Sequence, residues 1–386
     1  MIRILPILFL LLATTAHAAP PDGMISKPTL DRFSKILHLD KDQSDSAAAL
    51  YDGYSTAFRT ATRDFTTESR RIREADAPKS PELAEHTAAA FKAKTDRQAA
   101  LEKSFLSDLR ALLTTDQEKS WPSVERARRR ELVLRGVISG ESIDLIQIVD
   151  SLRLTPDEST PLAEPLTSYE LDLDRALLDK DRILKDEKPF DALNEFNSVS
   201  LMKRTTQTRD FGLTIRDLND RHARQIEATL PEPRRAAFRT AVHTAGFPSV
   251  YATSHGSKLL AAAAKLADLD PAQREKLESL RKTYERDLAA ANAKLEEATR
   301  DFETSKQSIV MTMNSGGTMQ VMLGKFEDNP ILKAAGVKRD LDTKLREQLE
   351  KLLRPTQVDA LPDSKETASD EQIFMDDVSV MIRRGG

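Results

Sequence analysis

Apolar residues in this chain recur in steps of three and four over long stretches, each interrupted by a polar break. One such stripe reads Ala47, Leu50, Tyr54, Phe58, Ala61 and Phe65, and another reads Leu277, Leu280, Tyr284, Leu288, Ala291 and Leu295. That spacing places all of them on one helix face. A third stripe, around Tyr169, Leu173 and Ala176, is less regular. Pro165 interrupts its opening turns, and Lys180 stands where the others have Phe65 and Leu295. Breaks follow at Asp76 to Pro81, near Lys185 to Pro189, and in a long loop from Asn314 to about Pro330. After each break a second stripe returns: Leu101, Phe105, Leu109, Leu113; Leu218, His222, Ile226, Leu230; and Leu341, Leu345, Leu349, Leu353. Paired stripes separated by a loop predict antiparallel helical hairpins.

The stripes are in register with one another. Leu39, Leu154 and Leu269 open similar short runs at a 115-residue step, and Tyr54, Tyr169 and Tyr284 follow them at the same step. Such self-similarity marks an internal repeat. The opening runs read as helix starts. Asp40, Thr155 and Asp270 have the side-chain oxygen an N-cap needs, and Gln43, Glu158 and Gln273 stand three residues on, where a capping box reaches back. Pro156 and Pro271 fall at the first helical position, which tolerates proline. A second run closes each unit, at Leu113-Thr114-Thr115-Asp116-Gln117, Leu230-Pro231-Glu232-Pro233-Arg234 and Leu353-Arg354-Pro355-Thr356-Gln357. Trp121, Phe238 and Leu361, four residues beyond each run, read as anchors of a short third helix.

The expected fold is therefore all-α: three tandem repeats of long antiparallel helical hairpins, each with a short third helix, in an elongated molecule. The expected boundaries are a signal peptide at 1–18, units at 19–140, 141–256 and 257–362, and an acidic tail with a short helix at 363–386.

Two Leu-Thr-x-x-Gln-like runs per hairpin, in a charged chain without cysteine, resemble the Spy/CpxP family of periplasmic stress proteins. Leu113 to Gln117 and Leu154 to Glu158 match its motif most nearly. The runs at Leu39 and Leu269 have Asp for Thr, and those at Leu230 and Leu353 have lost the Thr, the first with Arg234 in place of Gln. Family members are small dimeric cradles, whereas this chain joins three longer units. The resemblance implies an ATP-independent chaperone or envelope-stress role.

Composition narrows the setting. Arg3, the apolar run Ile4 to Leu12, and Ala16-His17-Ala18 have the form of a secretory signal peptide cleaved after Ala18, too short to span a bilayer. This predicts a periplasmic or secreted protein without stable membrane insertion. With no cysteine, disulfides and thiolate chemistry are excluded. A net charge of -4 implies no general affinity for nucleic acid. Aromatic residues at 5% and charged residues at 31% suit long helices with solvated outer faces.

Candidate chemistry is sparse. No zinc-protease, nucleophile-elbow or phosphate-loop motif occurs, so no enzyme and no cofactor is expected. Ser200-Leu201-Met202-Lys203 matches Ser-x-x-Lys with no companion motif. His38, His86, His222, His243 and His255 show no ligand spacing; His222 occupies a stripe position that suits the edge of a core. Arg126, Arg128, Arg129 and Arg130, flanked by Glu125 and Glu131, read as a solvated helix face. Met311, Met313, Met319 and Met322 cluster around Gly316-Gly317. They are the candidate contact for unfolded or envelope protein partners, with Cu(I) ligation and simple packing as other readings. The expected function is a non-enzymatic, chaperone-like or envelope-stress binding protein. The alternatives are a structural adaptor of the envelope, or a metal-responsive protein using the Met-rich loop.

Overall fold

Helix starts fall where side-chain oxygens are available to cap them. The computed structural model describes residues 23–76, 81–136, 138–186, 198–305, 310–313, 319–322 and 329–362. The fold is all-α apart from one two-stranded hairpin among the described residues. By its contacts the chain divides into two compact units, Met1–Arg128 and Arg129–Gly386.

In the first unit α1 (Lys27–Ile36) begins at Ser26, whose hydroxyl accepts from Thr29 N. Helix α2 (Lys41–Ala75) starts at a full capping box between Asp40 and Gln43. Helix α3 (Pro81–Ala111) returns antiparallel to it, with Gln98 meeting Thr62 and Gln43 meeting Leu112. The short α4 (Thr115–Glu118) has its own box between Thr114 and Gln117, and α5 (Trp121–Val133) follows. The core lies at the capped end, where Phe33, Leu37, Tyr54, Phe58, Phe105, Leu109 and Trp121 are buried together. Tyr54 stacks on Phe105 with ring centroids 4.9 Å apart. Toward the far end of the pair the helices run thin. On α2 only Ala61 and Ile72 are buried beyond Phe58, and on α3 no described side chain before Phe105 is. Arg128, expected on a solvated face, is instead buried: its guanidinium meets Glu102 at 2.6 Å and 2.8 Å and the Gly23 carbonyl at 2.5 Å.

The second compact unit begins within α5, and its first complete helix is α6 (Leu145–Ser151), capped by Asp144. After α7 (Pro156–Ser159), capped by Thr155 and Glu158, a 3-10 turn at Thr160–Leu162 leads into α8 (Ala163–Asp186). The irregularity expected at Pro165 thus falls earlier, at the turn containing Pro161. Pro165 lies in the first turn of α8, where its missing N–H has no intrahelical role. Helix α9 (Ser198–Thr229) pairs antiparallel with α8, and α10 (Glu232–Gly246) and α11 (Pro248–Tyr251) complete this part. Then come α12 (His255–Ala263), capped by Ser254, and α13 (Pro271–Thr304), boxed by Asp270 and Gln273. Helix α14 (Pro330–Leu352) returns against α13, and α15 (Pro355–Val358) ends the described chain.

Two expectations are corrected here. The loop between α13 and α14 contains an antiparallel hairpin, β1 (Val310–Met313) and β2 (Met319–Met322). Apolar and polar residues alternate on either side of a Gly-Gly pair there, a short hairpin signal that helix-period reading passes over. Arg130 is likewise buried rather than solvated. It sits 2.9 Å from Glu170 and 3.4 Å from Asp144, while Arg129 pairs with Asp174.

Tyr54, Tyr169 and Tyr284 each do more than fill a stripe. Each hydroxyl reaches back to within one residue of the N-cap of a short leading helix. Ile25 N donates to Tyr54 Oη at 3.1 Å, next to the Ser26 cap of α1. Leu145 N donates to Tyr169 Oη at 3.3 Å, next to the Asp144 cap of α6. Tyr284 Oη lies 2.6 Å from Ser254 Oγ, the cap of α12, and donates to Asp342. Tyr169 Oη is also 3.1 Å from both the Ile143 carbonyl and Asn219 Oδ1. Burial drives the Tyr169 phenol far above its usual range, so it stays protonated. The Tyr169→Phe variant should lose about 1–3 kcal/mol of stability in urea denaturation, because buried polar partners are left unmatched.

The loop feeding α6 is seated by glycines and one ion pair. Gly140 adopts φ +83, and a Cβ on Gly212 would come within 2.6 Å of the Ile138 side chain. Glu141 is fully buried and meets Lys180 Nζ at 2.5 Å, which also donates to the Arg135 carbonyl at 2.6 Å. A lysine in an apolar stripe is therefore answered by a buried carboxylate, as burial of a charge requires.

His38 and Arg153 both take positive φ, +50 in each case, at the residue just before a motif leucine. That conformation ends α1 and α6 and is unfavourable for any residue with a Cβ. Both side chains are exposed. His38→Gly and Arg153→Gly should each raise stability, by about 0.5–1 kcal/mol, read from denaturation midpoints; a loss would contradict the strain argument.

Candidate functional site

The motif glutamines, expected as capping-box residues, turn inward. Gln43 and Gln117 form a reciprocal amide pair, each Nε2 donating to the other's Oε1 at 2.8 Å. Gln43 Nε2 also donates to the Leu112 carbonyl at 2.8 Å, and Gln117 Nε2 to the His38 carbonyl at 3.1 Å. Each Oε1 meanwhile accepts the N–H of its own cap residue, Asp40 or Thr114. The opening and closing caps of one hairpin are thus clasped together, with the amides' capacity matched.

The same clasp recurs between Gln273 and Gln357, at 3.1 Å, with donors to the Leu352 and Asp268 carbonyls. Arg354 has no cap acceptor on its side chain, so Gln357 supplies only the reach-back half of the box, accepting from Arg354 N at 2.9 Å. At the corresponding place in the α8–α9 pair, Arg234 meets Glu158 through two hydrogen bonds of 2.9 Å and 3.2 Å. Arg234 departs from the motif only because its partner does too. Reading Gln/Gln, Glu/Arg and Gln/Gln as pairs would have revealed this clasp from the sequence.

Two tests follow from the clasp geometry. Gln357→Ala should cost about 1–3 kcal/mol, since Gln357 is buried and Gln273 loses its partner. Arg234→Gln alone should lower the urea midpoint, and Glu158→Gln with Arg234→Gln should recover most of the loss by rebuilding an amide pair. Hydrogen bonds from Arg234 and Thr155 hold the Glu158 carboxyl down at about 2, below its ordinary 4.5. Its contribution is full above the ordinary value and is lost as pH falls through about 2. The double variant should lack this acid component in a pH-resolved denaturation series.

Other sequence candidates are dispersed. In the β-hairpin Met313 pairs with Met319, Met311 with Val321, and Met322 with Val310. The side chains of Met311, Met313, Met319 and Met322 lie outside the described residues, as do those of Ser200 and Lys203. His222 is buried against Tyr169, with Nε2 3.1 Å from Asp172. His86 bonds Asp76 at 2.9 Å, and His255 is buried with Nε2 lacking a hydrogen-bond partner. Among the described residues no group of three His, Asp or Glu could hold a metal ion, and no helix is long and apolar enough to cross a membrane.

His243 lines a cleft. Helices α9 and α10 and the end of α13 enclose an open cleft of about 400 Å³. Its floor is apolar, with Phe238, Val242 and Phe247. Two ion pairs and a histidine–carboxylate hydrogen bond cross it, one between each pair of helices. Asp220 on α9 takes Arg300 on α13 through bonds of 2.7 Å and 3.2 Å. Glu227 on α9 takes Arg239 on α10. His243 Nδ1 on α10 lies 2.8 Å from Glu296 on α13. Glu296 also accepts from Tyr251 at 2.7 Å and from Arg300 at 2.9 Å. The Arg300 guanidinium lies 4.6 Å from the Phe247 ring centroid.

Burial works to raise the Glu296 carboxyl, but bonds from His243, Tyr251 and Arg300 outweigh it and hold it at about 2. Burial and the Glu296 charge push the Tyr251 phenol well above its usual range. Both groups are displaced from the range near neutrality in which general acid–base catalysis works best. Sequence reasoning missed this cluster because its members lie on separate helices with no shared period.

The fold and these clasps define an all-α protein of clasped helical hairpins. No family model, curated protein or solved structure matches the chain.

Proposed function

We propose that this is an exported, non-enzymatic binding protein with a chaperone-like role toward unfolded or envelope proteins. The supporting observation is the placement of its exposed large apolar side chains. Of five among the described residues, four lie on the long paired helices: Phe91 on α3, Leu171 and Leu178 on α8, and Val337 on α14. Leu171 and Leu178 stand two turns apart on one helix face. Apolar side chains exposed along helices suit weak, repeated engagement of an unfolded chain, which exposes its own apolar residues at short intervals. The motif residues make internal bonds, so client contact falls to the outer helix faces. The signal-like N-terminus and the Leu-Thr-x-x-Gln-like runs agree with this reading.

Light scattering from an aggregating client protein tests it. The protein should suppress aggregation near equimolar ratio. Combined Phe91→Ser, Leu171→Ser, Leu178→Ser and Val337→Ser substitutions should weaken suppression several-fold without lowering the unfolding midpoint. No suppression at several-fold excess would remove the proposal.

A further inference from the structure

One arginine lining the cleft among α9, α10 and α13 has no ion-pair partner among the described residues. The cleft's carboxylates are all engaged: Asp220 by Arg300, Glu227 by Arg239, and Glu296 by His243, Tyr251 and Arg300. Arg224, which also lines the cleft, stands between Asp220 and Glu227 on the same face of α9. It is exposed, and among the described residues no carboxylate pairs with it. His243 commits only Nδ1, to Glu296, and its imidazole is partly exposed at the cleft.

We propose that this cleft binds a small monocarboxylate bearing an apolar group, the carboxylate taken by Arg224 and the apolar group laid on Val242 above the packed Phe238 and Phe247. The volume of about 400 Å³ lies within the range of small-molecule sites. A planar guanidinium matches a carboxylate in a two-bond fork. A dianion such as phosphate is disfavoured, because one free cation cannot balance it beside Asp220 and Glu227. Phe238 and Phe247 are almost wholly buried and close the floor from beneath, Arg300 lies over the Phe247 ring, and Val242 is the half-buried side chain that meets the ligand. The ion pairs crossing the cleft hold its walls before the ligand arrives, which lowers the cost of binding. This site is separate from the outer helix faces assigned to client contact, and it stands or falls independently of them.

The test is calorimetric titration of the full chain with hexanoate, with hexanamide and inorganic phosphate as comparison ligands. Hexanoate should bind saturably at millimolar concentration or below, and the other two should not. Arg224→Gln should weaken hexanoate at least tenfold, about 1.4 kcal/mol by the affinity relation, with an unchanged unfolding midpoint. Arg153→Gln, at another exposed arginine, should leave binding as it was. Absence of saturable hexanoate binding, equal binding of hexanamide, tighter binding of phosphate, or binding unaffected by Arg224→Gln would each overturn the proposal.

Discussion

Two helices of more than thirty residues touch along a narrow seam, and the ends of that seam are where it opens most easily. Fraying exposes the free N–H and C=O groups of the termini and costs few apolar contacts. In this chain the problem is met by joining the two capped ends to each other. The Gln43–Gln117 pair lets the box of α2 hold the box of α4, and each amide also takes a carbonyl released at the end of the neighbouring helix. The clasp thereby fixes the register of α2 against α3, and the core of Tyr54, Phe58, Phe105 and Leu109 packs beside it. Away from the clasp the pair thins to a few buried side chains, leaving long helix faces open to solvent.

The tyrosine hydroxyls extend the same logic one element further. A phenol on the long helix reaches the start of the short helix before it, so leading helix, cap and hairpin are tied in sequence. In the α8–α9 pair the apparent irregularities resolve as matched substitutions. Lys180 has Glu141, Arg234 has Glu158, and His222 has Asp172. A charge placed in a packed helical stripe is tolerable when its counter-charge is placed with it. Each of these pairs joins residues far apart in the chain, so one member alone looks like a defect.

How much was legible varies with the range of the interaction. The caps at Asp40, Thr114, Thr155 and Asp270 were readable because a capping box closes within four residues. The paired helices were readable from their stripes. The arginine run was misread, because Arg128 and Arg130 are buried by carboxylates on other helices, Glu102 and Glu170. The β-hairpin was missed because it is four residues per strand inside a loop, shorter than the window in which a helix period is sought. The cleft had no local signature: Asp220, His243 and Glu296 come from three helices.

By itself the sequence determined where helices begin, which face each buries, and that the long helices return on themselves, since these depend on residues a few positions apart. Only the tertiary structure decided what the motif glutamines hold, why Arg234 is acceptable, what the tyrosine hydroxyls cap, and which arginine in the cleft has no ion-pair partner among the described residues. Those outcomes depend on distances between residues roughly 25 to 90 positions apart. Hydrogen bonds and ion pairs act over a few ångströms, and no periodicity along the chain encodes which distant partner comes within that range.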